Sequence, residues 1–196
     1  ATPICFDIET TGFSRERGDR IIEFACQDLR GGDSSTFQTL VNPERDVPNQ
    51  HIHGISTHMV NRPDVPRMKD LIPILVDYIA SRRILGGPVI LISHNGRTFD
   101  VPFLKKEFSR CSHEIPPYWL FVDTVPLARI LAKSLGLSAS IGLKINLQAL
   151  REYYSIPLIG PAHRALSDVH TLALVLQKMT SQLKITVPGL IKQSFR

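Results

Sequence analysis

Two carboxylates separated by one residue, Asp7 and Glu9, end the first apolar segment of the chain, in the sequence FDIETTGF. Successive side chains of a β-strand alternate between its two faces, so Asp7 and Glu9 share a face if this segment is a strand. Two like charges at close range disfavour ionisation, and a hard divalent cation between them removes that cost. The pair therefore predicts a metal site, and an exposed polar strand end is the alternative.

A third carboxylate, Asp100, follows the continuous apolar run Pro88–Ser93 and stands at the predicted start of a helix. Taken alone it has a simpler explanation, because aspartates near helix starts accept backbone hydrogen bonds and complement the helix dipole. His163 and Asp168 lie five residues apart at the predicted start of a later helix, within reach of one site. Imidazole suits a general base and Asp168 a metal ligand, whereas alone this pair also fits a solvated helix start.

The acidic pair, the mid-chain aspartate and the late His-x4-Asp occur in an order that resembles the DEDDh 3′-to-5′ exonucleases. That family includes proofreading subunits, ribonuclease T, the three-prime repair exonucleases and a plant exonuclease that degrades organelle DNA, and its fold is ribonuclease-H-like. The resemblance spans nearly the whole chain, with a histidine where another branch of the family has tyrosine. It implies a catalytic set of five residues, all intact here: Asp7, Glu9, Asp100, His163 and Asp168.

The resemblance also implies two divalent cations, with Mg²⁺ as the expected ion and Mn²⁺ as its substitute. Two ions about 3.5–4 Å apart stabilise both the attacking and the leaving oxygen of a phosphoryl displacement. By the resemblance, Asp7 bridges both ions and Asp100 serves one of them. Glu9 and Asp168 complete the site of the ion that activates water, and His163 deprotonates that water.

Residues beside these motifs are expected to contact the substrate: Ile8, Thr10, Thr11, Phe13, His53 and Asn95. The resemblance places backbone amides of the turn after Glu9, together with the Phe13 ring, against the terminal nucleotide. An aromatic ring stacks on any base, which suits an enzyme that degrades arbitrary ends. Ordinary core packing is the alternative for Phe13. Arg97 and Arg164 flank the motifs and are further candidates for phosphate contacts.

The elements that must position these residues follow from the hydrophobic pattern. The pattern predicts an α/β fold with a ribonuclease-H-like mixed sheet, three antiparallel strands plus two further strands, flanked by helices. Residues 44–57 are predicted to form a loop. The predicted strands are 3–8, 21–29, 36–41, 88–93 and 118–123, and the predicted helices are 68–83, 99–108, 125–134, 147–154 and 162–183.

Composition limits the class of protein. A chain of 196 residues with 43% apolar content fits one core, and we place an exonuclease domain at 1–183 and a C-terminal tail at 184–196. Lysine and arginine total 23 against 18 acidic residues, giving +5, which favours nucleic acid as partner. No apolar run is long enough to cross a bilayer, so a membrane partner is not expected. A homodimer is left open.

The three cysteines show no C-x-x-C spacing, which argues against a disulfide framework or structural zinc and favours a reducing intracellular compartment. Ala1 stands where a methionine is usual, so removal of a transit peptide, with a mitochondrial or chloroplast location, is a further expectation. The predicted function is a metal-dependent 3′-to-5′ exonuclease that releases nucleoside monophosphates from DNA ends. The alternatives are an exoribonuclease that trims RNA 3′ ends and a non-catalytic nucleic-acid-binding module.

Overall fold

A five-stranded mixed sheet forms the centre of the computed structural model, which describes residues 1–136 and 145–196. Its strands are β1 (Thr2–Thr10), β2 (Ile21–Asp28), β3 (Thr36–Leu40), β4 (Val89–Ser93) and β5 (Trp119–Asp123). They lie in the order β3-β2-β1-β4-β5. The first three pair antiparallel, while β4 pairs parallel with β1 and β5 parallel with β4. The predicted arrangement of three antiparallel strands plus two further strands is confirmed.

Helices cover both faces of this sheet, as the sequence pattern predicted. They are α1 (Gln50–His53), α2 (Thr57–Val60), α3 (Met68–Arg82), α4 (Asp100–Arg110), α5 (Val125–Ser134), α6 (Leu147–Tyr153), α7 (Ala165–Leu183) and α8 (Val187–Lys192). Phe6 and Phe24 pack on the face that α3 and α4 cover. Cys5 and Ile92 pack on the opposite face, under α5, α6, α7 and α8. Neighbouring residues of β1 thus serve two separate cores, as the alternation of a strand requires.

Residues 44–57 differ from the predicted loop, because they contain α1 and the first residue of α2. Each of these helices has four residues, too few to produce a helical hydrophobic period. Ser56 caps α2 by accepting a hydrogen bond from the amide of Met59 at 3.3 Å. A second difference is that α7 begins at Ala165 rather than at residue 162, because His163 has a φ of 57° and lies outside the helix.

The segment after α7 packs onto the domain. Leu190 of α8 is buried in the same core as α7. The amide and carbonyl of Phe195 each form a 2.9 Å hydrogen bond with the main chain of Phe121, so this residue pairs with the edge strand β5. The division of the chain at residue 183 stays a prediction.

None of the helices in residues 1–136 and 145–196 combines the length and the apolar character needed to cross a membrane. Cys5 and Cys26 are buried on opposite faces of the sheet, and both thiols are free, as is that of Cys111.

Candidate active site

The end of β1 extends beyond its parallel neighbour. Pairing of β1 with β4 ends at Cys5 and Ile92, whereas pairing with β2 continues to Thr10. Asp7 and Glu9 therefore lie on a strand with one open edge, and α7 brings Asp168 to them. One carboxylate oxygen from each of these three residues lies within 4.8 Å of the others. Oxygen ligands grouped in this way suit a hard divalent cation.

Asp100 is the first residue of α4 and is 2% exposed. Its Oδ1 is buried and has no hydrogen-bond partner among the residues that the structure describes. Burial raises the pKa of Asp100 to about 7, although the nearby backbone amides of Asp100 and Ile8 act in the opposite direction. A buried acceptor without a donor is rare and calls for a specific explanation. It fits a metal ligand better than a structural helix cap.

The four carboxylates share a high cost of ionisation. Burial, followed by the charges of Asp100, Glu9 and Asp168, raises the pKa of Asp7 well above its ordinary value. Burial and Asp168 raise the pKa of Glu9 to about 9. Burial raises the pKa of Asp168 to about 6, against the lowering effect of His163. Divalent cations are the counter-charge that such a donor set fits.

His163 lies at the mouth of the cluster, exposed and directly before α7. It lines a cleft of about 630 Å³ together with Asp7 and Asp168. Its backbone is left-handed, with a φ of 57°, and Arg164 after it is extended, with φ −125° and ψ 128°. The imidazole is therefore open to a molecule in the cleft and close to the carboxylates.

A second histidine of the cleft, His94, is already engaged. Its Nε2 lies 2.8 Å from the carbonyl oxygen of Ile145, so this nitrogen carries the proton and donates. Its Nδ1 lies 2.8 Å from Oγ1 of Thr124 and accepts. Burial lowers the pKa of His94, which favours the same neutral form. Of the two cleft histidines, only the ring of His163 has no hydrogen-bond partner among residues 1–136 and 145–196, so it is available to accept a proton.

Glu23 was not among the residues predicted for the site; it lies opposite Glu9 in the register of β1 and β2 and is fully buried. Nε of Arg164 donates to Oε1 and Oε2 of Glu23 at 3.2 and 3.1 Å, and Nη2 of Arg164 donates to Oε1 of Glu23 at 2.7 Å. The amide of Ala165 donates to Oε2 at 3.0 Å. Arg164, a candidate for phosphate contacts, instead bonds within the protein. The available signal was a charged residue placed between the apolar residues Ile22 and Phe24 of β2.

The turn after Glu9 is held by its own side chains. Thr10 and Thr11 are 3% and 1% exposed. Oγ1 of Thr10 donates to the carbonyl of Gly12 at 2.7 Å, and Oγ1 of Thr11 donates to Asp19 at 3.0 Å. A Cβ at Gly12 would lie 2.4 Å from the Asp19 carboxylate, so this position excludes a side chain. The turn therefore offers a substrate its backbone rather than its threonine hydroxyls.

Phe13 is 72% exposed, which removes core packing as its explanation. Its ring centroid lies 6.1 Å from that of Phe99, at the rim of the site. Two other predicted substrate residues, Ile8 and His53, are 3% and 4% exposed. Nδ1 of His53 accepts a hydrogen bond from the amide of Ile55 at 3.1 Å. The buried side chains of Ile8 and His53 thus pack beneath the site, whereas the ring of Phe13 lies on its surface.

The loop between β4 and α4 carries Asn95, which is exposed and left-handed with a φ of 64°. The carboxylate of Asp123 fixes this loop by accepting from the amides of Asn95 and Arg97 at 3.0 and 3.1 Å. A Cβ at Gly96 would lie 1.8 Å from Oγ of Ser93, so a side chain at this position would require the Ser93 hydroxyl to move. Asn95 is therefore presented to solvent from a fixed loop.

The fold and the carboxylate cluster define the class of ribonuclease-H-like exonucleases. The structure is similar to the nuclease domain of 3′hExo, a DEDDh family member solved bound to rAMP, with a TM-score of 0.72, 18% identity and 92% of each chain covered. It is also similar to exonuclease X, solved in complex with 5′ overhanging duplex DNA, with a TM-score of 0.65 and 24% identity over 97% of this chain and 98% of that one. Likeness at these identities establishes the fold.

Residues 4–176 match the model of the Exonuclease family, RNase_T, and the chain belongs to this family. It is 52% identical over 191 residues to the chloroplastic/mitochondrial exonuclease DPD1 of Arabidopsis thaliana. The match covers 97% of this chain and 60% of that relative, so the chain spans little more than half of the relative's length. The family that the five site positions predicted is confirmed.

Proposed function

We propose that this chain is a 3′-to-5′ exonuclease that hydrolyses the terminal phosphodiester of DNA and releases nucleoside monophosphates one at a time, with two divalent cations. The observation that carries the proposal is the convergence of Asp7, Glu9 and Asp168 within 4.8 Å. The buried Oδ1 of Asp100, without a hydrogen-bond partner among the described residues, supports it. Mg²⁺ is the expected ion and Mn²⁺ its substitute, since carboxylate oxygens suit both.

Each site residue has a distinct task in this proposal. Asp7 and Glu9 on β1 and Asp168 on α7 would hold the cations, and Asp100 on α4 would serve one of them. Divalent cations at such a site stabilise charge on the attacking and leaving oxygens. The imidazole of His163 takes a proton from the attacking water, whose oxygen bonds to phosphorus as the bond from phosphorus to the leaving oxygen breaks. The cleft beside His163 leaves room for that water and the phosphate.

Phe13 is proposed to stack on the terminal base, because its exposed ring stands at the end of the turn that follows Glu9. Replacing Phe13 with alanine is expected to raise KM about tenfold with little change in kcat, since stacking on one base contributes about 1–3 kcal/mol. Leu85→Ala is the matched control, because this fully exposed apolar side chain lies in the turn before β4, at the opposite end of the strands from Phe13. Equal kinetics for the two variants would contradict the stacking role.

DNA is the proposed substrate, and the neighbour solved with duplex DNA supports it. RNA is the second candidate, because the 3′hExo nuclease domain was solved with rAMP. Nothing that distinguishes a 2′-hydroxyl is evident at the described cleft residues, so substrate assays must decide between the two.

The test uses oligonucleotides labelled at the 3′ or the 5′ end, as DNA and as RNA, with Mg²⁺, with Mn²⁺ or with EDTA. The proposal expects the 5′-labelled DNA to shorten stepwise, the 3′ label to leave as a mononucleotide, and both events to need a cation. Faster shortening of RNA keeps the chemistry and overturns the DNA assignment. Binding without cleavage in every reaction would favour a nucleic-acid-binding module.

We propose an organelle location, because the plant relative is named as a chloroplastic/mitochondrial exonuclease. The test is microscopy of the full-length gene product carrying a C-terminal fluorescent protein. Fluorescence within plastids or mitochondria supports the proposal, and nuclear or diffuse fluorescence overturns it.

A further inference from the structure

We propose that Glu23 and Arg164 form a positioning pair that sets the backbone of His163 and the first turn of α7, and that holds Glu23 itself out of the metal-ligand set. This inference rests on the proposed exonuclease function. Neither residue touches the reacting atoms, so both act through their neighbours.

Helix α7 starts without a cap from its own sequence. Its N-cap position is Arg164, whose side chain caps no amide of the helix. Glu23 supplies the acceptor from strand β2, because its Oε2 accepts from the amide of Ala165 at 3.0 Å. A carboxylate at a helix N-terminus also complements the helix dipole. The next turn follows directly, since the amide of Asp168 bonds the carbonyl of Arg164 at 3.0 Å. Glu23 thus fixes the turn that presents Asp168.

Arg164 anchors the turn at His163. Left-handed backbone at a residue other than glycine is strained and persists only where the surroundings fix it. The residue after His163 is fixed by three hydrogen bonds between the Arg164 guanidinium and the Glu23 carboxylate. Arginine is suited to this role, because its planar fork matches a carboxylate in two places. The direction in which His163 leaves the backbone therefore depends on the pair.

Glu23 is a fifth buried carboxylate beside four others. Its charge contributes to the raised pKa of Asp7, Glu9 and Asp168. It stays out of the cluster of metal-ligating oxygens because both its oxygens are occupied by Arg164 and Ala165, and Gln38 donates to Oε1 at 3.2 Å. Arg164 also lowers the pKa of Glu9. Truncating Arg164 would leave an uncompensated buried charge directly opposite Glu9.

The test compares Arg164→Ala, Arg164→Lys and Glu23→Gln with a matched control, Asp28→Asn. Asp28 is also fully buried on β2 and bonded to arginines, but it contributes no charge to the cluster. Three quantities are measured: kcat and KM on labelled DNA with Mg²⁺, Mn²⁺ affinity by calorimetry, and amide hydrogen exchange across residues 163–168.

Arg164→Ala is expected to lower kcat about 100-fold, the cost of misplacing a reacting group by about 1 Å, with KM nearly unchanged. Arg164→Lys keeps the positive charge but lacks the planar guanidinium, and its kcat is expected to fall about tenfold. In all three site variants the amide of Ala165 exchanges faster and Mn²⁺ binds more weakly. Asp28→Asn is expected to leave kcat and exchange at 163–168 unchanged.

The proposal is overturned if folded Arg164→Ala and Arg164→Lys have the kcat of Asp28→Asn, because the pair would then be structural. If Glu23→Gln fails to fold, the two Arg164 variants still decide. If the wild-type protein cleaves no nucleic acid, the proposed function fails on its own. Hydrogen exchange and Mn²⁺ affinity then decide the positioning role, and unchanged values in Arg164→Ala overturn it.

Discussion

Two carboxylates near opposite ends of β2 stand under opposite conditions: Asp28 lies on β2 itself, and Glu9 lies on the neighbouring strand β1. At one end, Asp28 is fully buried and bonded to Arg30 at 2.7 Å and to Arg82 at 2.9 Å, and these bonds lower its pKa despite burial. At the other end, burial and Asp168 raise the pKa of Glu9 to about 9. Burial is common to both, so the presence of a cationic partner makes the difference. Acids with arginines stabilise the fold, and acids without them are suited to bind cations.

The largest effect is expected from removing one of the unpartnered acids. Asp168→Ala should lower kcat at least about 1000-fold, equivalent to about 4 kcal/mol of transition-state stabilisation. The metal-free variant should unfold at the same temperature as the wild type or higher, because one repelling carboxylate is gone. Steady-state kinetics and thermal unfolding in EDTA measure the two effects. A variant that keeps its activity contradicts the assignment of Asp168.

The second-largest effect is expected from metal removal and pH, which change the stability of the protein through the carboxylates around Glu9. Burial keeps Asp168, Asp100 and Glu9 protonated in the folded protein up to pKa values of about 6, 7 and 9, against ordinary values of 3.8 and 4.5. The folded state binds more protons in this window, so these groups destabilise the metal-free protein as pH rises from about 4 to about 9.

Mn²⁺ should offset that loss, adding about 2.7 kcal/mol at 100 times its Kd. The increase in Tm on adding Mn²⁺ should therefore grow between about pH 5 and pH 9. Thermal unfolding at several pH values, with Mn²⁺ or with EDTA, measures this increase. An increase that shrinks over this range would show that the carboxylates are not the binding groups.

A smaller and purely structural effect is expected from Asp28→Asn. The variant should lose about 2 kcal/mol of unfolding free energy, in the range for hydrogen bonds to charged groups. Because its folded pKa is lowered, the contribution of Asp28 is present above the ordinary value and is lost as pH falls through the folded value. Chemical unfolding at neutral and acidic pH checks both statements. A lower kcat in the folded variant would contradict the purely structural role of Asp28.

The sequence predicts the sheet well, because each strand is a short apolar run bounded by turn residues. It also identifies Asp7 and Glu9, whose shared face follows from strand alternation alone. The convergence of Asp100 and Asp168 with this pair depends on how α4 and α7 pack on the sheet. No local pattern contains that information, so at the sequence level it came from the resemblance to a family.

Long-range pairing explains what the sequence did not predict. Arg164 was a candidate for phosphate contacts, but its partner Glu23 lies 141 residues earlier. The burial of Thr11 was not predictable either, because it depends on a turn in which the Thr11 hydroxyl donates to Asp19, eight residues later. The two one-turn helices in residues 50–60 are set by packing and by the cap of Ser56 rather than by hydrophobic period.

The pairing of Phe195 with β5 bears on aggregation. As the last strand of the sheet, β5 has an edge of main-chain groups that can pair with another copy, a common route to self-association. Phe195 covers part of that edge with two hydrogen bonds, and the guanidinium carbon of Arg97 lies 3.9 Å above its ring. Trimming the final residues is therefore expected to expose this edge and to remove the contact between Phe195 and Arg97, which would lower the solubility of the protein.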